Sequence, residues 1–119
     1  MSKILLVEDN EMNRDMLSRR LERKEFEVVI AVDGQAGVNM ATSESPDLIL
    51  MDIHMPKCNG IEATRRIKQL IPHVRVVMLT VSEDDADLFQ AIKNGAQGYV
   101  PKDVDPEEFF SMLERTQQG

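Results

Sequence analysis

Five residues of this sequence could act together on one chemical group: Glu8, Asp9, Asp52, Thr80 and Lys102. Each stands at the end of a short apolar run. "KILLVE" (Lys3–Glu8) leads into Asp9, "DLILMD" (Asp47–Asp52) ends in Asp52, "RVVMLT" (Arg75–Thr80) ends in Thr80, and "GYVP" (Gly98–Pro101) leads into Lys102. Clustered carboxylates suit a hard cation with oxygen ligands. Mg²⁺ matches best, because it takes one or two carboxylates and keeps several waters. Such a cation offsets the repulsion between Glu8 and Asp9, neither of which belongs in an apolar core. An ammonium and a hydroxyl are good partners for phosphate oxygens, so the expected ligand is a phosphoryl group. Asp52 ends the central run and is the natural nucleophile, since carboxylates beside a metal form aspartyl phosphates. Taken singly, each residue has an ordinary reading: Asp as a turn former, Thr as a strand former, Lys as a surface charge. Their convergence at four of five strand ends is what makes a site.

That convergence requires a fold that brings distant strand ends to one rim. The four runs above and "EVVIAV" (Glu27–Val32) alternate with helical patterns. Several runs are apolar throughout, as in parallel strands covered on both faces. Asn10 can cap a first helix carrying Met12, Met16, Leu17 and Leu21, and Asp33 a second over Gly34 to about Ser43. Asn59 with Glu62 resembles a capping box, and Ser82 with Asp85 a weaker one. Gly95 follows "AIKN" as a C-terminal cap, and Asp105-Pro106 with Glu108 opens a fifth helix. The pattern is α/β, a (βα)5 doubly wound five-stranded parallel sheet. In such sheets ligands bind at the carboxyl ends of the strands.

The 119 residues, 42% hydrophobic and 29% charged, fit one domain over 1–119 with a single ordinary core. Aromatics are only 4%, so eight Met are expected as packing residues. A formal charge of −7 disfavours direct nucleic-acid binding by this domain. One Cys, Cys58, rules out an internal disulfide and suits a reducing cytoplasmic setting. No apolar run approaches membrane-spanning length, no signal-peptide pattern is present, and no segment reads as a linker, repeat or output domain.

"LLVEDN", "DLILMDIHMPKCNGIEATRRIK", "VVMLTVS" and "GAQGYVPKD", in this order and spacing, resemble a response-regulator receiver domain of two-component signalling. The resemblance covers essentially the whole chain. It implies a flavodoxin-like sheet of order 2-1-3-4-5, with Asp52 as phosphoacceptor. It implies Asp9 as a direct Mg²⁺ ligand, Glu8 acting largely through metal-bound water, and the His54 backbone carbonyl completing the protein ligands. Thr80 and Lys102 would hold phosphoryl oxygens, and Tyr99 would be the switch aromatic that follows Thr80. The implied partners are a sensor histidine kinase, an output domain or effector, and a second copy in a homodimer. The fourth helix, fifth strand and fifth helix would form the signalling face.

Several positions depart from the common pattern. Lys102 is followed by Asp103 rather than Pro, as in the subfamily with helix-turn-helix DNA-binding output. Pro101 within the last strand requires that strand to be an edge. Val81 is bulkier than the usual small residue, which predicts restricted water access and slow phosphate loss; His54 and Ser82 lie where the family tunes that loss. His73 is expected in solvent, and "RRLERK" and "RRIK" as solvated helix faces. The later part, from Asp52 on, resembles the DNA-binding-output subfamily, whereas "KILLVEDNEMNRDMLSRRLE" looks more like stand-alone or hybrid-kinase receivers. Family drift and a recombined or engineered chain both account for that. The competing functional readings are a binding module that never uses phosphate, a related α/β enzyme and an engineered scaffold without a physiological partner. Against an enzyme, "VEDNEMN" lacks both glycine-rich phosphate loops.

Overall fold

Ten elements alternate along the chain: β1 (Lys3–Val7), α1 (Glu11–Arg23), β2 (Glu27–Ala31), α2 (Gly34–Glu44), β3 (Leu48–Asp52), α3 (Gly60–Leu70), β4 (Arg75–Thr80), α4 (Asp85–Lys93), β5 (Gly98–Pro101) and α5 (Pro106–Gln118). They are seen in a computed structural model that describes residues 2–53, 55, 59–80, 85–102 and 104–118, the backbone alone for 85–88 and 116–118. The strands form one parallel sheet of order β2-β1-β3-β4-β5, the order that the resemblance implied.

The two-residue period of a strand sorts the apolar residues between the faces. Ile4, Leu6, Leu48, Leu50, Val77, Leu79 and Val100 pack with Leu17 and Leu21 of α1 and with Phe109 and Leu113 of α5. Leu5, Val7, Ile49, Met51, Val76 and Met78 face the other way, against Val38 and Ala41 of α2, Ala63 and Ile67 of α3, and Ala91 of α4. Every residue of central β3 is buried, whereas Glu27 and Ile30 of β2, at the sheet edge, are exposed. Each fully buried Leu or Ile contributes about 1.5–3 kcal/mol, so two-sided burial of β1, β3 and β4 dominates the fold's stability. Both clusters draw on residues before and after Asp52, and β1 pairs with β3 from Ile4↔Leu48 to Val7↔Met51. The packing is therefore continuous between the two halves.

Side-chain caps fix where the helices begin. Asn10, Asp33, Asn59 and Asp105 accept hydrogen bonds from the backbone N–H of Asn13, Ala36, Glu62 and Glu108 at 2.8–2.9 Å. Each satisfies an otherwise unpaired donor, typically worth about 1 kcal/mol. Ser82 lies outside the described residues, and α4 begins at Asp85. β5 is an edge strand, where Pro101 opposite Thr80 is tolerated.

The methionines divide. Met51 and Met78 are fully buried, but Met12 is 81% exposed. Met12 and Leu21 are both in α1, and at 3.6 residues per turn they point to opposite sides of the helix. The sheet covers the Leu17–Leu21 stripe and leaves Met12 outside.

Gly95 turns the chain from α4 into β5 with φ +112°, and a Cβ there would lie 2.8 Å from Lys68 Cγ. Lys68 is itself held by a 2.6 Å hydrogen bond from Nζ to the Val74 carbonyl. Gly95→Ala is therefore expected to destabilise the protein by more than about 1 kcal/mol, read as a lower urea midpoint. An unchanged midpoint would show that the turn can relax.

Candidate functional site

Parallel pairing puts the carboxyl ends of β1, β3, β4 and β5 on one rim. Beyond β1, Glu8 N–H still donates to the Ala31 carbonyl at 3.1 Å, which extends the ladder by one residue. Beyond β5, Lys102 N–H donates to the Thr80 carbonyl at 2.8 Å, which does the same on the other side. These two extensions hold Glu8 and Lys102 at the sheet's end. Lys102 Nζ lies 2.6 Å from Glu8 Oε1 and 3.1 Å from Asp52 Oδ1.

All three groups are buried: Glu8 is 0%, Asp52 5% and Lys102 7% exposed. The complete burial of Glu8 corrects the expectation that this acid stays out of the interior. Its physical reason is Lys102, because a buried carboxylate is tolerable when an ammonium is in hydrogen-bond contact. Asp9, the neighbouring acid, is exposed.

Glu8 Oε2 is buried with no hydrogen-bond partner among the described residues. A buried acceptor left unmatched costs about 1–3 kcal/mol, and more when charged. Glu8, Asp9 and Asp52 each offer an oxygen, and these oxygens lie within 4.8 Å of one another. The unmatched atom and the all-oxygen donor set fit a hard divalent cation.

Asp52 titrates far from the ordinary carboxylate range, pushed up to about 8. Burial is the largest cause, the neighbouring Glu8 carboxylate adds to it, and the Lys102 charge opposes it. At neutral pH, without a cation, this carboxyl therefore holds its proton.

Thr80 is buried at the end of β4, one residue beyond Leu79, the pairing partner of Asp52. Tyr99 pairs with Met78 and packs half-buried against the α2–α4 side of the core. The structure thus brings Glu8, Asp9, Asp52 and Lys102 together, with Thr80 on the same rim and Tyr99 further along β5. His54, Cys58, Val81, Ser82 and Asp103 lie outside the described residues. His73 is exposed in the loop before β4, at the sheet's opposite end.

Two residues escaped the sequence reading. Gly60 opens α3 against the nucleophile strand: a Cβ there would lie 2.0 Å from the Asp52 carbonyl oxygen. Its N–H donates to the Ile53 carbonyl at 2.8 Å. Asn59 with Glu62 signalled a helix start, but nothing in the sequence signalled the close approach of Gly60. Arg14 donates to the carbonyls of Glu8 and Asp9 at 3.1 and 3.4 Å. One arginine among 14 basic residues carried no distinguishing pattern.

A family model described as "Response regulator receiver domain" matches residues 4–114. The chain belongs to the response-regulator receiver-domain family. This receiver domain is 37% identical over 119 residues to the transcriptional regulatory protein DegU of Brevibacillus brevis, covering 98% of this chain and 50% of DegU. It is 34% identical to the nitrate/nitrite response regulator protein NarL of Escherichia coli K12, covering 98% of this chain and 55% of NarL. The chain spans about half the length of the curated relatives it matches. Among solved structures, the chemotaxis protein CheY4 of Vibrio cholerae superposes with a TM-score of 0.92 at 28% identity, covering 98% of each chain. The receiver domain accordingly has the flavodoxin-like α/β fold, and the family is one of signalling proteins.

The displaced titration of Asp52 has a measurable consequence. The folded, cation-free protein keeps this proton up to about pH 8, whereas the unfolded chain releases it near the ordinary 3.8. Between those values the folded state binds more protons, so raising the pH lowers stability. Asp52→Asn removes the titrating group. In thermal melts without divalent cation, the variant should gain on the wild type as pH rises from about 4 to about 8, and the two should converge near pH 4. A pH-independent offset would mean that Asp52 titrates as an ordinary carboxyl.

Proposed function

We propose that this receiver domain is a phosphoacceptor switch in a two-component phosphorelay. The observation that carries this reading is the buried Asp52 carboxyl 3.1 Å from Lys102 Nζ, beside the Glu8 and Asp9 carboxylates. An Asp52 oxygen attacks the phosphorus of a phosphohistidine on a sensor kinase, or of a small acyl phosphate, in line with the leaving group. The new O–P bond forms as the P–N or P–O bond to the donor breaks, and the electron pair leaves with the imidazole or carboxylate. Lys102 offsets charge on the equatorial phosphoryl oxygens. Glu8, Asp9, Asp52 and the backbone carbonyl of His54 would hold Mg²⁺, which when bound supplies further charge neutralisation at those oxygens. Glu8 already commits one oxygen to Lys102, whereas Asp9 is exposed and free to ligate directly. We read Glu8 as acting largely through metal-bound water.

The product adds roughly −1.5 to −2 charges at the rim. The Thr80 hydroxyl donates to a phosphoryl oxygen, and Tyr99 follows Thr80. The shift reaches the face made by α4, β5 and α5. On α4, Phe89 and Ile92 are 64% and 49% exposed, an apolar surface suited to an effector, an output domain or a second copy in a homodimer. DegU and NarL are named as regulators, which favours an output domain or effector as the reader of the switch. With a charge of −7, this domain itself makes no direct nucleic-acid contact. It modifies itself in the cytoplasm and turns over no external substrate. Among the described residues no helix is long and apolar enough to cross a membrane.

Acetyl phosphate with Mg²⁺ should add one phosphoryl group by intact mass, and Asp52→Asn or a chelator should abolish the addition. Labelling of the Asp52→Asn protein would overturn the assignment. Asp9→Ala should abolish Mg²⁺-dependent labelling and Glu8→Ala only weaken it; equal effects would count against the division of roles. Because the bulky Val81 directly follows Thr80 in sequence, the phosphorylated protein should lose its phosphate slowly at neutral pH, followed by the same mass shift. Rapid hydrolysis would refute shielding by Val81.

A further inference from the structure

We infer that Arg14 is a positioning residue for the acidic pair, setting the directions in which the Glu8 and Asp9 side chains leave the backbone. The inference rests on the reading of Glu8, Asp9 and Asp52 as the cation site. Arg14 Nη1 donates to the Glu8 carbonyl at 3.1 Å and to the Asp9 carbonyl at 3.4 Å. One nitrogen thus holds two successive peptide groups. These peptides form the joint between β1 and α1. The joint is anchored on the strand side by Glu8 N–H on Ala31 O at 3.1 Å, and on the helix side by Arg14 N–H on Asn10 O at 2.9 Å.

Rotation of either peptide plane would break one of the two Arg14 bonds. It would also swing the attached carboxylate away from Asp52. With both planes held, the three carboxylates offer oxygens within 4.8 Å of one another. Arg14 is half-buried in the first turns of α1, and its bonds go to backbone carbonyls of residues five and six positions earlier. It therefore acts through Glu8 and Asp9, and its bonds leave their carboxylate oxygens available. The guanidinium also puts a fixed positive charge beside a loop that bears two adjacent acids. Lysine keeps the charge but presents a strongly hydrated point donor on a flexible stem, so it replaces the pre-organised planar guanidinium nitrogen only in part. Residues that orient ligands from behind typically contribute 10–100-fold in metal affinity.

The test is a calorimetric Mg²⁺ titration of the phosphate-free protein, with a urea melt of each variant alongside. Arg14→Ala should weaken Mg²⁺ binding about tenfold, and Arg14→Lys by less. Arg19→Ala is the control. Arg19 is exposed and paired with Asp15 at 3.2 Å, so its loss removes the same charge from the same helix without touching the joint. Its Mg²⁺ affinity should stay within roughly twofold of wild type. If Arg14→Ala does not fold, the Arg14→Lys and Arg19→Ala comparison carries the test. A lower urea midpoint with wild-type Mg²⁺ affinity in the Arg14 variants would make Arg14 a structural residue only and overturn the inference. Equal losses in Arg14 and Arg19 variants would reduce it to long-range charge and overturn it too. A wild-type protein that binds no Mg²⁺ would instead overturn the cation site, and this inference with it.

Discussion

The ammonium of Lys102 sits between Glu8 and Asp52, at 2.6 and 3.1 Å, and the rest of the rim depends on that contact. Two buried carboxylates side by side would repel each other and the apolar strands beneath them. A single ammonium can neutralise only one of them. Asp52 resolves the excess by keeping its proton up to about pH 8. The buried trio of Glu8, Asp52 and Lys102 is then close to neutral, with exposed Asp9 outside it. With Asp9 included, three ionised carboxylates, the ammonium and a divalent cation would sum to zero. In that arrangement Asp52 would be deprotonated and able to act as a nucleophile. Burial of this polar cluster is weak support for stability, since apolar replacements often do as well.

The sheet makes the contact possible. Lys102 and Glu8 are 94 residues apart, and Lys102 and Asp52 come from strands that are not neighbours. Parallel strands joined by right-handed crossovers bring such residues to one edge without long loops. The ladder continues one residue past β1 and past β5, through Glu8 N–H and Lys102 N–H, so that the charged side chains start from rigid backbone. Close packing behind the nucleophile is equally strict. Gly60 leaves no room for a Cβ beside the Asp52 carbonyl, which ties the start of α3 to the strand that carries Asp52.

Much of this was legible from residue types alone. The alternation of apolar runs with Asn10, Asp33, Asn59 and Asp105 gave the elements, because each cap spends a short polar side chain on one unpaired N–H. The chemistry-bearing residues were legible because they follow apolar runs where core residues would otherwise continue. Met12 was misplaced for a simple reason. Its spacing looked helical, but its phase lies half a turn from Leu21, and only the sheet's position decides which stripe is covered.

The sequence by itself determined the alternation of strands and helices, the caps and the set of acids, hydroxyl and ammonium at the strand ends. These depend on local periodicity and on side-chain chemistry, which a string of residues records directly. Only the tertiary structure decided that Glu8 is buried while adjacent Asp9 is exposed, that Lys102 spans two carboxylates, and that Arg14 and Gly60 support the site from behind. Burial and distance depend on what the other strands and helices bring up against a residue. In "VEDN" the resemblance already divides the two acids by role, but only the fold divides them by burial: it makes Glu8 a buried partner of Lys102 and leaves Asp9 open to solvent.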